Sequence, residues 1–149
     1  CFPTINIKAG KSAYADRVIL IGDSASSKLY KNGIGSAYET AKSAAKTAIF
    51  EGISSSHFAK HYAKVCKNLD FDNNLGKLIF TITTVIQKSG LLKKGLYKTV
   101  EKEQKLPNKQ RHMSGILWDT FTGSATYKDI LQRGIRPGIP VSLLSNSFR

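Results

Sequence analysis

Two short stretches concentrate the chemistry of this 149-residue chain. The first is Val18-Ile19-Leu20-Ile21-Gly22-Asp23-Ser24-Ala25. The second, Asn32-Gly33-Ile34-Gly35, opens an alanine-rich segment. Four consecutive branched apolar residues running into a glycine read as a strand buried on both faces of a parallel sheet. In open α/β sheets ligands collect at the carboxyl ends of such strands, where Gly22 turns the chain and Asp23 presents a carboxylate. That group accepts hydrogen bonds from the hydroxyls of a sugar or sugar alcohol. Further along, Gly33 and Gly35 start a helix with no side chain in the way. Its free N–H groups and positive dipole end suit a pyrophosphate or an electron-rich ring oxygen.

Other reactive residue types carry less. His57 and His61 are spaced i,i+4, but Phe-Ala-Lys lies between them and no third ligand is evident, so no metal site is expected. Cys1 and Cys66 are the only cysteines, too few for a disulfide framework or a zinc site, and a reducing cytoplasm is the expected compartment. Ser24, Ser26 and Ser27 lack the Gly-x-Ser-x-Gly elbow of a hydrolase nucleophile. Lys28 and Lys31 read as solvated surface lysines rather than phosphate ligands. Trp118, Phe121 and Tyr127 are expected in the core.

The elements that must position these residues are mostly helical. Residues 1–16 look extended, with Thr4-Ile5-Asn6-Ile7-Lys8 alternating as an edge strand would. Helices are expected over Gly33 to Phe50, stopping at Gly52; from a Ser54 or Ser55 cap to about Asn68, with Phe58, Tyr62, Val65 and Leu69 on one face; and over Asn74 to Lys88. Leu91 to Lys105 follows, supported by Glu101 and Lys105 and closed by Pro107, then Asn108 to Phe121 and Ser124 to Arg133. The tail 139–149 has little periodicity and is expected to be irregular. One buried parallel-type strand with no partner reads as part of a larger α/β protein, of which this chain is the C-terminal portion. Residues 1–52 would end its α/β domain, 53–138 form a helical region, and 139–149 a tail. Residue 1 is not Met, and no basic start leads into an apolar stretch, so no signal peptide is expected.

Residues 17–52 resemble the second flavin fingerprint of FAD-dependent oxidoreductases, in the large group that contains aromatic-ring hydroxylases and geranylgeranyl reductases. The likeness is greatest to geranylgeranyl-reductase-type enzymes, in which small residues after Gly-Asp and an Ala-rich helix after Gly-x-Gly are usual. The segments Trp118-Asp119-Thr120-Phe121-Thr122-Gly123 and Tyr127-Lys128-Asp129-Ile130 also look like C-terminal regions of bacterial members. The resemblance implies that Asp23, after Gly22, binds the ribityl chain of FAD. Gly33, Ile34 and Gly35 would point the helix at the pyrophosphate and the pyrimidine side of the flavin. It further implies a Rossmann-like FAD-binding fold, a hydrophobic or isoprenoid lipid substrate whose double bonds are reduced, and electrons from NAD(P)H or ferredoxin. The sequence departs from the pattern at Tyr30, where proline is common, at Ser24, where alanine is, and at Ile34, where a polar residue is frequent. The first flavin fingerprint, Gly-x-Gly-x-x-Gly, does not occur, because Tyr38 stands where the third glycine would. The adenosine half of the cofactor thus has no recognisable site here, and the chain alone is expected to be inactive.

Composition narrows the partners. With 23 Lys+Arg against 10 Asp+Glu the net charge is +13, and the basic residues are spread evenly. An anionic partner follows: a phosphorylated cofactor or a lipid headgroup surface. No stretch approaches the ~18 apolar residues of a membrane span, which leaves peripheral membrane contact as the expectation. No nucleic-acid motif is present and the lysines do not cluster on one helix, so nucleic acid is not an expected partner. The alternative within enzymes is a flavin monooxygenase or halogenase acting on aromatic rings, which carries the same fingerprint; outside enzymes the lesser alternative is a small basic nucleic-acid-binding helical protein.

Overall fold

The computed structural model describes residues 10–30, 32–107 and 111–148. Thr4–Lys8, Lys31 and the first residues of the helix expected from Asn108 lie outside them. The path runs through β1 (Tyr14–Ala15), β2 (Val18–Ile19), a 3-10 turn at Gly22–Ser24, and α1 (Gly33–Lys46), which widens into a π-helical turn at Thr47–Glu51. It continues through α2 (Ser55–His57), a second π turn at Phe58–Tyr62, and α3 (Ala63–Lys88). Then come α4 (Gly90–Gln104), α5 (His112–Thr122), α6 (Tyr127–Gly134) and α7 (Gly138–Ser147). Two compact units divide at Asn74 and Leu75, within α3.

In the first unit the strand expected to be buried and parallel-type is neither. β2 pairs antiparallel with β1 (Tyr14↔Ile19, Ala15↔Val18) around a turn in which Arg17 takes a positive φ of 59°. Val18, Leu20 and Ile21 are 55%, 39% and 47% exposed. Among the described residues β1 is the only strand beside β2. A branched apolar run suits any sheet position, and its burial on both faces requires neighbours that the adjacent hairpin cannot supply. The core of this unit gathers Ala13, Ala25, Ala44, Phe58, Tyr62 and Cys66. The buried face runs 58, 62, 66 rather than through Val65, because the wider π turn displaces the helical register.

The helix boundaries have local causes. Asn32, in the left-handed conformation, accepts the Gly35 N–H to start α1, and Gly52 at φ 129° ends its π turn. Ser54 caps α2, Ser89 caps α4 and Thr126 caps α6. Residues 69–73, which lie between two helices expected from sequence, are helical. Asp72 and Asn73 are buried and hold the loop before α1, so their polar side chains are satisfied without leaving the helix.

In the second unit α7 packs along α4, correcting the expectation of an irregular tail. Gly95 permits the approach: a Cβ there would lie 2.1 Å from the Ser147 Oγ and 2.5 Å from the Leu143 carbonyl oxygen. The Asn146 amide donates to Thr99 Oγ1 at 3.0 Å, and Lys102 donates to Asn146 Oδ1. Buried Glu103 accepts from the N–H groups of Met113 and Ser114 at 2.8 and 2.7 Å, placing a carboxylate at the N-terminus of α5. Asp119 pairs with Arg133 at 2.5 Å, tying α5 to α6. Tyr127 is buried and meets Phe80 edge-on at 6.1 Å, as expected of a core aromatic. Trp118 and Phe121, by contrast, are 67% and 44% exposed. No helix among the described residues is long and apolar enough to cross a membrane.

Candidate functional site

Gly22 sits where the extended chain turns. Its φ of 62° belongs to the left-handed region, its N–H donates to Thr40 Oγ1 on α1 at 2.9 Å, and its carbonyl accepts from Ala25 and Ser26. A glycine suits the turn on conformational grounds, and the buried Thr40 hydroxyl fixes the turn against the second and third turns of α1. Asp23 follows with an exposed side chain that makes no hydrogen bond or ion pair among the described residues. The Gly-Asp turn therefore presents a free carboxylate beside α1, the helix that begins at Gly33.

At that helix start the three singled-out residues have different roles. The Gly35 N–H is taken by Asn32 Oδ1 at 3.1 Å, and Ser36 N–H bonds the Asn32 carbonyl. The N–H groups of Gly33 and Ile34 have no partner among the described residues, as expected for the first turn of a helix. A Cβ on Gly33 would meet nothing within 4 Å, whereas one on Gly35 would fall 2.2 Å from Asn32 Oδ1. A side chain at position 35 would thus displace the Asn32 cap. Ile34 is 89% exposed, an apolar side chain standing between two donors. The free Asp23 carboxylate and the two N–H groups of Gly33 and Ile34 thus both lie along α1, with open space above Gly33.

The loop joining the two parts is held by a clamp absent from the sequence reading. Lys28, expected to be a solvated lysine, is ion-paired with Asp72, both side chains being only 11% exposed. Asn73 donates to the Ser27 carbonyl at 2.7 Å and accepts the Leu29 N–H at 3.0 Å. The available signal was the Asp-Phe-Asp-Asn cluster at 70–73, which satisfies turn chemistry and helix burial equally well. Ser26 is buried with its hydroxyl unpartnered, which leaves no base beside it to activate a nucleophile.

The remaining candidates have structural partners. His57 Nδ1 lies 2.8 Å from Ser54 Oγ, and His61 Nε2 lies 3.5 Å from a Glu51 carboxylate oxygen. No group of three metal-ligating side chains occurs among the described residues. Cys66 is a free, buried thiol whose ionisation burial pushes above the usual range, and burial likewise raises the Tyr62 phenol beside it. The Tyr62 hydroxyl donates to the Leu20 carbonyl, tying the core to the chain that leads into Gly22. A protonated thiol is a poor nucleophile, in keeping with the small packing residue expected at position 66. Comparison with protein-family models, with curated proteins and with solved structures gives no match.

Proposed function

We propose that this chain carries the ribityl and pyrophosphate half of the FAD site of an oxidoreductase that reduces a hydrophobic, isoprenoid-type substrate. The observation that carries the reading is the unpartnered Asp23 carboxylate, set by a left-handed Gly22 against the helix that opens with the free N–H groups of Gly33 and Ile34. In this reading Asp23 accepts hydrogen bonds from ribityl hydroxyls, and the two N–H groups face phosphate oxygens or the pyrimidine edge. Ile34 covers the flavin's apolar face, and Thr40 keeps the Gly-Asp turn from drifting. Bound FAD would supply the electron transfer, drawing on a nicotinamide or ferredoxin donor, while the protein orients it and excludes water. The adenosine half of the cofactor would be held by a Gly-x-Gly-x-x-Gly turn outside these residues.

The test is flavin retention by the protein purified from cells that make it, together with its Asp23→Ala variant. The wild type should carry FAD, and the variant should bind it about ten- to a hundredfold more weakly, the worth of one hydrogen bond to a charged group. A wild type without flavin, or a variant with unchanged flavin affinity, overturns the proposal. Turnover of an aromatic substrate rather than an isoprenoid one would move it to the monooxygenase group.

A further inference from the structure

We infer that the second unit holds a binding site for a single anionic amphiphile, a long apolar chain ending in a carboxylate or phosphate. The inference stands on residues 79–146 and does not depend on the flavin reading. Two cavities in this unit carry it. The first, of about 690 Å³, is lined chiefly by apolar side chains from α3, α4, α5, α6 and α7. Ile79, Met113 and Ile130 are buried in its walls, while Ile82, Val85, Phe121 and Ile135 are exposed at its mouth. Its size falls in the range of about 300–1,000 Å³ typical of small-molecule sites. Large apolar side chains converging on one solvent-open concavity are what a hydrocarbon chain would cover.

The second cavity, of about 620 Å³, differs in character and adjoins the first, with Ile116 and Ile139 lining both. Its walls carry Lys102, Arg111, Arg133 and Arg136, with His112 among them. One carboxylate, Glu103, also lines it, and that group is committed to the N–H groups of Met113 and Ser114. Arg133 is paired with Asp119, and Arg111 donates to the Leu106 carbonyl and to Gln104. The Arg136 guanidinium is exposed and has no hydrogen bond or ion pair among the described residues. The wider field agrees: residues 75–149 hold 13 basic against 4 acidic side chains, +9 of the total +13. An uncharged chain would leave Arg136 unused, and a bare anion would leave the apolar cavity to water. A molecule with both parts satisfies both cavities, its head against Arg136 and its chain running past Ile116 and Ile139.

The test is calorimetric titration of the full chain with dodecanoate and dodecyl phosphate, each below its micelle concentration. Dodecyltrimethylammonium, inorganic phosphate and phosphatidylglycerol vesicles serve as comparison arms. Saturable one-to-one binding of both anionic amphiphiles is expected, weaker in high salt. Arg136→Glu, at an exposed position, should weaken that binding about ten- to a hundredfold without weakening the cationic amphiphile. Val85→Asp, also exposed, should weaken every chain-bearing ligand, and circular dichroism would verify that both variants are folded. The inference is overturned by absence of binding, by equal affinity for anionic and cationic amphiphiles, or by inorganic phosphate binding as tightly as dodecyl phosphate. Binding to vesicles but not to monomeric amphiphile would also overturn it, because it would mark a membrane-docking surface instead of a site for one molecule.

Discussion

At the scale of single residues, the three positions of the helix start separate structural need from ligand need. Gly35 is pressed against its own cap, so Gly35→Ala should displace Asn32 and cost about 0.5–2 kcal/mol, the usual worth of an N-cap, whether or not flavin binds. Gly33 faces open space, and Gly33→Ala should leave stability unchanged or raise it by about 0.4–1 kcal/mol. Urea unfolding of the two variants decides this, and equal losses would contradict the cap argument. The two glycines look alike in sequence, and only the left-handed Asn32 beneath one of them tells them apart. Cys66 makes a pH statement. Its folded thiol ionises above the unfolded one, so its contribution is full below the unfolded value, about 8.5, and is lost as pH rises toward the raised folded value. Stability should therefore fall more steeply between neutral and alkaline pH in the wild type than in Cys66→Ala. Parallel pH profiles for the two proteins would refute it.

At the scale of elements, the legible parts are those with local causes. Gly52, Ser54 and the alanines of α1 mark boundaries through neighbours within a few residues, and the helices at 33, 55 and 90 begin where those signals stand. What escaped the sequence depends on distant partners. The helix of residues 138–147 shows almost no apolar periodicity because it meets α4 with Ser147, Asn146 and the Leu143 backbone rather than with an apolar stripe. The apolar run at 18–21 has the composition of a buried strand, and composition says nothing about whether neighbouring strands exist. Gly95→Ala tests the helix pair. In an isolated helix the change would help by about 1 kcal/mol, but here the new methyl must push α7 aside, and overpacking of this kind costs about 1–3 kcal/mol. Net destabilisation on thermal or urea unfolding is expected, and a more stable variant would mean that the two helices are not in close contact.

At the scale of the whole molecule, charge is the dominant feature that the sequence already displayed, though not its distribution. Residues 1–74 hold 10 basic and 6 acidic side chains and residues 75–149 hold 13 and 4, so the second unit carries +9 and the first +4. Ion pairs among the described residues include Arg133 with Asp119 in one unit, and Lys28 with Asp72 and Arg17 with Asp16 in the other. Self-repulsion of that order weakens the folded state and is screened by salt, since the Debye length falls from about 30 Å at 0.01 M to about 8 Å at 0.15 M. The melting temperature should rise over that range, and a flat or falling response would show that the charges are better compensated than their pairing suggests. The adjoining cavities of the second unit were illegible for a related reason. Their lining comes from five helices, and no window along the chain brings Val85, Ile116, Arg136 and Ile139 together.

The contact between Gly95 and Ser147 has an evolutionary consequence. Two helices that touch where one has no side chain and the other a small hydroxyl leave no room for independent drift at either position. A bulkier residue at 95 survives only if position 147 shrinks or α7 slides along α4, and sliding would carry Asn146 out of reach of Thr99 and Lys102. A change at position 95 is therefore coupled to positions 99, 102, 146 and 147. A descendant with a bulky residue at 95 alone would be expected to lose the packing of the seventh helix.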